Sequence, residues 1–218
     1  MSHPANLTGF EGLFNFVGTQ ADGELDMQTT GTNGVVLLVV AGVLGCGRPA
    51  HEAFFDELQA LCGQAFVGRM IQGAAADSAF RNNQLIMHVR QCSDEEIRIP
   101  LHVGEDRSRT WVISRTTTGL QLRHDHRHQD GTPEELSQYG GVSEDGGRPT
   151  RLEFPADMHT ATMVPEAAAN VWTLEIVPGE TLVYALRREG TDRRVRLEFD
   201  LAEPTDTPPA PWGTSPPI

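Results

Sequence analysis

The segment RRVRLEFDL, residues 193–201, alternates without a break. Val195, Leu197, Phe199 and Leu201 fall on one face of an extended chain; Arg194, Arg196, Glu198 and Asp200 fall on the other. This period belongs to a half-buried β-strand, because successive strand side chains point to opposite sides. The pattern recurs in AFVGRMI (65–71), QLIMHVR (84–90), EIRIPLHV (96–103), SRTWVISR (108–115), GLQLRHDH (119–126), TRLEF (150–154), VWTLEI (171–176) and TLVYALR (181–187), about nine strands in all. Short turns join several of them: GEDR (104–107), TTTG (116–119), PGE (178–180) and EGTD (189–192). Such turns connect antiparallel neighbours. The expected fold is all-β, an antiparallel meander closed into a barrel, since an open meander leaves two exposed edges. Pro100, inside its strand, predicts an edge or a bulge.

Ahead of the meander, PAHEAFFDELQALCG (49–63) has a helical period. Phe54, Leu58 and Leu61 share a side, Pro49 stands at the start and Gly63 at the end. Residues 47–202 therefore read as a barrel domain with a short N-terminal helix. Residues 128–149 read as a long Gly-rich loop, and 155–170 hold a helical turn. The Pro-rich segment 203–218 reads as an extended, disordered tail.

Composition removes several functions. The formal charge of -13 sets the surface against nucleic acid backbones. All 17 basic residues are arginine, so neither a Walker-type phosphate loop nor a Schiff-base lysine exists. There is no G-x-S-x-G nucleophile elbow and no repeat of solenoid or propeller period.

The three cysteines separate by position. Val35 to Gly45 is an apolar or small run, too short to span a bilayer and suited to a signal-peptide core. It ends in Val43-Leu44-Gly45-Cys46, which resembles a bacterial lipobox with Cys46 as the lipidated residue. No Arg precedes the run, whereas acidic residues do; translation starting at Met27 would remove that conflict. Residues 1–46 are thus expected to be a lipoprotein-type leader, placing the protein on the periplasmic side of a bacterial envelope with Cys46 as its membrane anchor. Cys62 and Cys92 remain as a pair, expected to form a disulfide in an oxidising compartment.

The densest chemistry is RHDHRHQDG, residues 123–131. His124, His126 and His128 continue the apolar face of Leu120 and Leu122 toward one end of the strand. An H-x-H pair lets two imidazoles converge on a metal. His124, His126 and His128 form the candidate metal set, with Asp130, Glu134 or His159 as other ligands or a base. Alternatively the histidines anchor the following loop, with Asp125 and Asp130 as partners. His88 and His102 fall on polar strand faces and stay outside any cluster. A cupin-type metal enzyme fits poorly, because Glu134 stands too far downstream and no second histidine motif follows Gly179. His124, His126, Trp111 and Tyr139 are the candidate ligand contacts; Trp172 and Tyr184 read as core. Asp106-Arg107-Ser108-Arg109 reads as a polar hairpin tip or an anion-binding rim.

LCGQAF (61–66), LIMHVRQC (85–92), IRIPLHVGEDRSRTW (97–111), LRHDHRHQDGT (122–132), QYGG (138–141), EFPAD (153–157) and NVWTLEI (170–176) together resemble a family of uncharacterised bacterial secreted proteins and lipoproteins. The resemblance covers roughly residues 58–202. It implies a lipocalin-like barrel, hence a small-molecule pocket, but no activity. Three roles stay open: a non-enzymatic small-molecule binder in the envelope, a metal-dependent enzyme built on the HDHRH strand, or a structural envelope protein that binds others through 128–149. No cofactor is implied, a metal at the histidines excepted.

Overall fold

A computed structural model of the chain describes residues 48–144 and 147–214. The leader over residues 1–46, the alternative start at Met27 and the lipidation site Cys46 lie outside the described residues.

The first element is a helix, α1 (Ala50–Ala60). Its Phe54, Phe55 and Leu58 are fully buried. Glu52 in its first turn suits the positive end of the helix dipole. Gly63, at φ +84°, takes the left-handed turn that leads out. Eleven strands follow: β1 (Ala65–Gln72), β2 (Leu85–His88), β3 (Gln91–Cys92), β4 (Glu96–Val103), β5 (Asp106–Arg115), β6 (Gly119–His126), β7 (Tyr139–Glu144), β8 (Arg151–Pro155), β9 (Asn170–Val177), β10 (Thr181–Arg188) and β11 (Arg194–Thr205). Two short helices, α2 (Ser78–Asn82) and α3 (Met158–Met163), lie in connections.

Every ladder is antiparallel, in the order β7-β6-β5-β4-β2-β1-β11-β10-β9-β8, with β3 beside β4. The first strand pairs with the last, from Ala65↔Thr205 to Gln72↔Arg196, so the meander curls into a nearly closed barrel. Pro100 does mark a bulge, although β4 is not an edge strand. From Met87↔Leu101 to Gln91↔Arg98, four steps on one side run against three on the other. Pro100 sits opposite that irregularity, where its missing N–H leaves no ladder bond unmade.

The remaining seam lies between β7 and β8, joined by a single bridge, Gly141↔Ala156. A Cβ on Gly141 would overlap the Pro155 carbonyl oxygen, so only glycine allows this approach. Beside it, Thr160 of α3 is fully buried. Its hydroxyl accepts from the Gly140 N–H at 2.7 Å and donates to the Gly140 carbonyl at 2.7 Å. One side chain thus stands in for a missing strand. Asp157 caps α3 by accepting from the Thr160 N–H and also pairs with Arg123 of β6.

Two expectations need correction. Residues 128–149 are not one loop: they contain β7, whose Gly140 and Gly141 carry no apolar alternation, and the Arg127↔Pro133 bridge turns the chain back earlier. Residues 203–214 are not a free tail. Strand β11 runs on to Thr205; Pro208 and Pro211 are buried; the Trp212 N–H donates to the Arg107 carbonyl, and Arg107 donates to the Ala210 carbonyl. This strap leaves β11 beside β1 and reaches the β5 hairpin. His88 and His102, on the polar parity of their strands, are both buried. The strap works because prolines need no ladder partner and bring little backbone entropy to lose.

The Cys62–Cys92 disulfide is present, with Cα atoms 6.3 Å apart. It ties the end of α1 to β3 and contributes on the order of 3 kcal/mol by loop closure. Thr160→Val keeps the shape of the seam residue but strands two buried backbone groups. Chemical denaturation should show a loss of about 1–3 kcal/mol, with an unchanged loss in a Thr160→Ser variant counting against the hydroxyl's role.

Candidate functional site

Inward side chains form three tiers along the barrel. At one end the interior is solid: Phe54, Phe55 and Leu58 of α1 meet Phe66, Ile97, Ile113, Leu122 and Phe199, all fully buried. The next tier is aromatic. Ladder register places Trp111 beside His124 and His124 beside Tyr139, on three adjacent strands. Trp172 of β9 and Tyr184 of β10 face them, with Trp111 stacked on Tyr184 at 4.4 Å and Tyr139 stacked on His124 at 4.6 Å. Above this tier opens a cavity of about 410 Å³. Its rim carries Asp77, Arg109, His126, Glu134, Asn170, Arg188 and Arg193, and Leu136 and Ala167 flank it.

His124 is almost wholly buried and both ring nitrogens are occupied. A carbonyl can only accept, so Nδ1–H donates to the Tyr139 carbonyl at 3.2 Å. Nε2 is then the acceptor, and the Tyr184 hydroxyl donates to it at 2.8 Å. Burial pulls His124 down to about 3 and pushes Tyr184 well above its usual range, so both are neutral. The chain Tyr184–His124–Tyr139 crosses the barrel and leaves no imidazole lone pair for a metal.

His126 stands one tier higher. Its Nε2 is 3.3 Å from the Tyr139 hydroxyl, and its Nδ1 is 3.7 Å from Glu134, beyond hydrogen-bond reach. Burial, with help from Arg109, lowers its pKa, while Glu134 opposes the shift. Burial also pushes Tyr139 up to about 12. Around the rim, Arg193 grips both oxygens of Asp77, and Arg109 pairs with Asp106 and lies over the Phe80 ring. Arg188 differs: its Nε–H donates to the neutral amide oxygen of Asn170 at 2.9 Å.

Of the candidate ligand contacts, His124, His126, Trp111 and Tyr139 all line one cavity. The candidate metal set does not assemble. Strand β6 ends at His126, and His128 lies exposed in the turn beyond it. His159 is exposed on α3, and among the described residues no group of three or more His, Cys, Asp or Glu side chains could hold a metal. The loop-anchor partners also differ: Asp125 faces outward to Arg98, Arg127 and Ser137, and Asp130 bonds Thr132 within its own turn. Within the 106–109 tip, Arg109 reaches the rim while Arg107 holds the strap. Trp172 and Tyr184 are buried, as a core reading requires, yet they also line the cavity. Arg188 and Asn170 escaped notice. The signal was available, because Leu182, Tyr184, Leu186 and Arg188 share one parity, as do Asn170, Trp172 and Leu174.

Four histidines, His88, His102, His124 and His126, have pKa values lowered mainly by burial, His102 to about 4. Unfolded, each would bind a proton near pH 6.5 that the folded chain refuses. Stability should therefore fall as pH drops from about 7 toward 4, and be fully present above that window. Thermal melts at a series of pH values should show this loss beginning above the carboxylate range. His102→Leu should flatten the curve between about pH 7 and 5; an unchanged slope would remove His102 from the account.

No family model, no curated protein and no solved structure matches this chain.

Proposed function

We propose that the chain is a bacterial cell-envelope protein that binds a small molecule inside a lipocalin-like barrel. The cavity carries this reading. At about 410 Å³ it lies toward the small end of ligand pockets, which run roughly 300–1,000 Å³. Its walls are mostly aromatic and apolar, with a few polar groups gathered at one mouth, the usual division between affinity and orientation. The polar groups of the floor are spent on one another through the His124–Tyr184 bond, so they hold the wall rigid. Such rigidity limits the ordering cost of binding.

Envelope location is supported by the Cys62–Cys92 disulfide and by the lipobox-like Val43–Cys46 end of the apolar run. The charge of -13 weighs against nucleic acid as a partner. Membrane attachment would rest on a lipid at Cys46 alone.

Trp111 and Trp172 in the walls make binding visible. An anilinonaphthalene-type probe should quench tryptophan emission saturably at one site per chain. Ala167→Trp, which fills the mouth, should weaken it about tenfold or more. No saturable response, together with no co-purifying molecule in native mass spectrometry, would sink the binding reading. Location has its own measurement: a mature chain from the membrane fraction should begin at a lipid-modified Cys46, and a chain retaining residues 1–45 would overturn that part.

A further inference from the structure

The rim is electrically uneven, and this unevenness selects a ligand class. Arg193 is neutralised by both oxygens of Asp77, and Arg109 by Asp106. Among the described residues Arg188 has no carboxylate partner; one edge of its guanidinium is held by the Asn170 amide oxygen. Arg188 belongs to the inward parity of β10 and lines the cavity directly above Tyr184 and Leu186. Its backbone is paired with that of Asn170 across the ladder, so the base of the side chain is fixed. A guanidinium held by Nε still offers its two terminal nitrogens, the fork that matches a carboxylate. On the far side of the mouth Glu134 stands beside His126, whose burial disfavours the charged form. That side presents negative charge and offers no second anchor for an anion.

Below Arg188 the walls are aromatic. Trp111, Tyr139, Trp172 and Tyr184 floor the cavity, with Trp111 stacked on Tyr184 at 4.4 Å and Tyr139 tilted against Trp172 at 6.0 Å. Flat rings extend such packing with little lost rotamer freedom. The volume holds a fused-ring body and a short polar arm, which excludes a two-chain lipid.

We infer that the cavity binds a planar aromatic monocarboxylate, its ring resting on the tier of Trp111, Trp172 and Tyr184 and its carboxylate on the terminal nitrogens of Arg188. The inference rests on the small-molecule reading above and narrows it. Charge-assisted hydrogen bonding to a semi-buried fork gives the anion at least a tenfold preference over a neutral analogue of the same shape.

The test compares naphthoate with naphthamide by tryptophan quenching and calorimetry, using the full chain with its disulfide intact. The wild-type chain should bind naphthoate at least tenfold more tightly. Arg188→Gln should reduce that preference to about twofold or less, with an unchanged thermal melt and near-UV circular dichroism spectrum showing that the variant is folded. Arg188→Lys should retain an intermediate preference. Equal binding of the two probes by the wild-type chain overturns the carboxylate inference and leaves the binding reading standing. So does a preference that survives Arg188→Gln. Failure of both probes, and of the anilinonaphthalene-type probe, defeats the binding reading itself.

Discussion

An antiparallel meander has two bare edges, each a row of N–H and C=O groups without partners. Burying them unpaired is costly, and exposing them invites association. Here both ends are dealt with by backbone pairing. The ladder between β1 and β11 joins the two ends of the domain, and the β7–β8 seam is finished by one bridge and the Thr160 hydroxyl. Closure is what gives the chain an inside. The parity of every strand then decides whether a side chain meets the plug, the aromatic tier or the rim. The disulfide, α1 and the strap act on a shape that closure has already set.

The strands were legible because their alternation is strong, and helix α1 because its period differs. What escaped has physical causes. Strand β7 contains Gly140 and Gly141, placed where neighbouring backbone leaves no room for a Cβ. The feature that lets the barrel close also erases the alternation that would have announced the strand. The strap reads as disordered because proline-rich composition usually lacks apolar surface to bury; here Pro208 and Pro211 are buried, and the segment is tied to Arg107, far away in sequence. His88 and His102 read as solvent-facing from their strand parity, yet both are buried. The site was half legible. Parity put His124 and His126 inside, but the partners that define His124, Tyr184 and the Tyr139 carbonyl, come from other strands and could not be paired from spacing.

The H-x-H motif divides into two jobs. His124 is a neutral post that braces one wall against the opposite one through Tyr184. His126, a tier higher, faces the mouth between Tyr139 and Glu134. The same spacing that suggests two converging metal ligands puts one imidazole into the wall and leaves the other at its surface. Burial depth, which changes along a tilted strand, separates residues that sequence presents as equals.

The helical plug has a consequence for traffic. With Phe54, Phe55 and Leu58 filling one end and a disulfide holding the helix there, the barrel is a cul-de-sac rather than a conduit. On the small-molecule reading proposed above, an occupant would have to leave the way it came, past Leu136 and Glu134 beyond the end of β6. Residence time would then be set at that doorway, and capture could be tuned there without disturbing the wall.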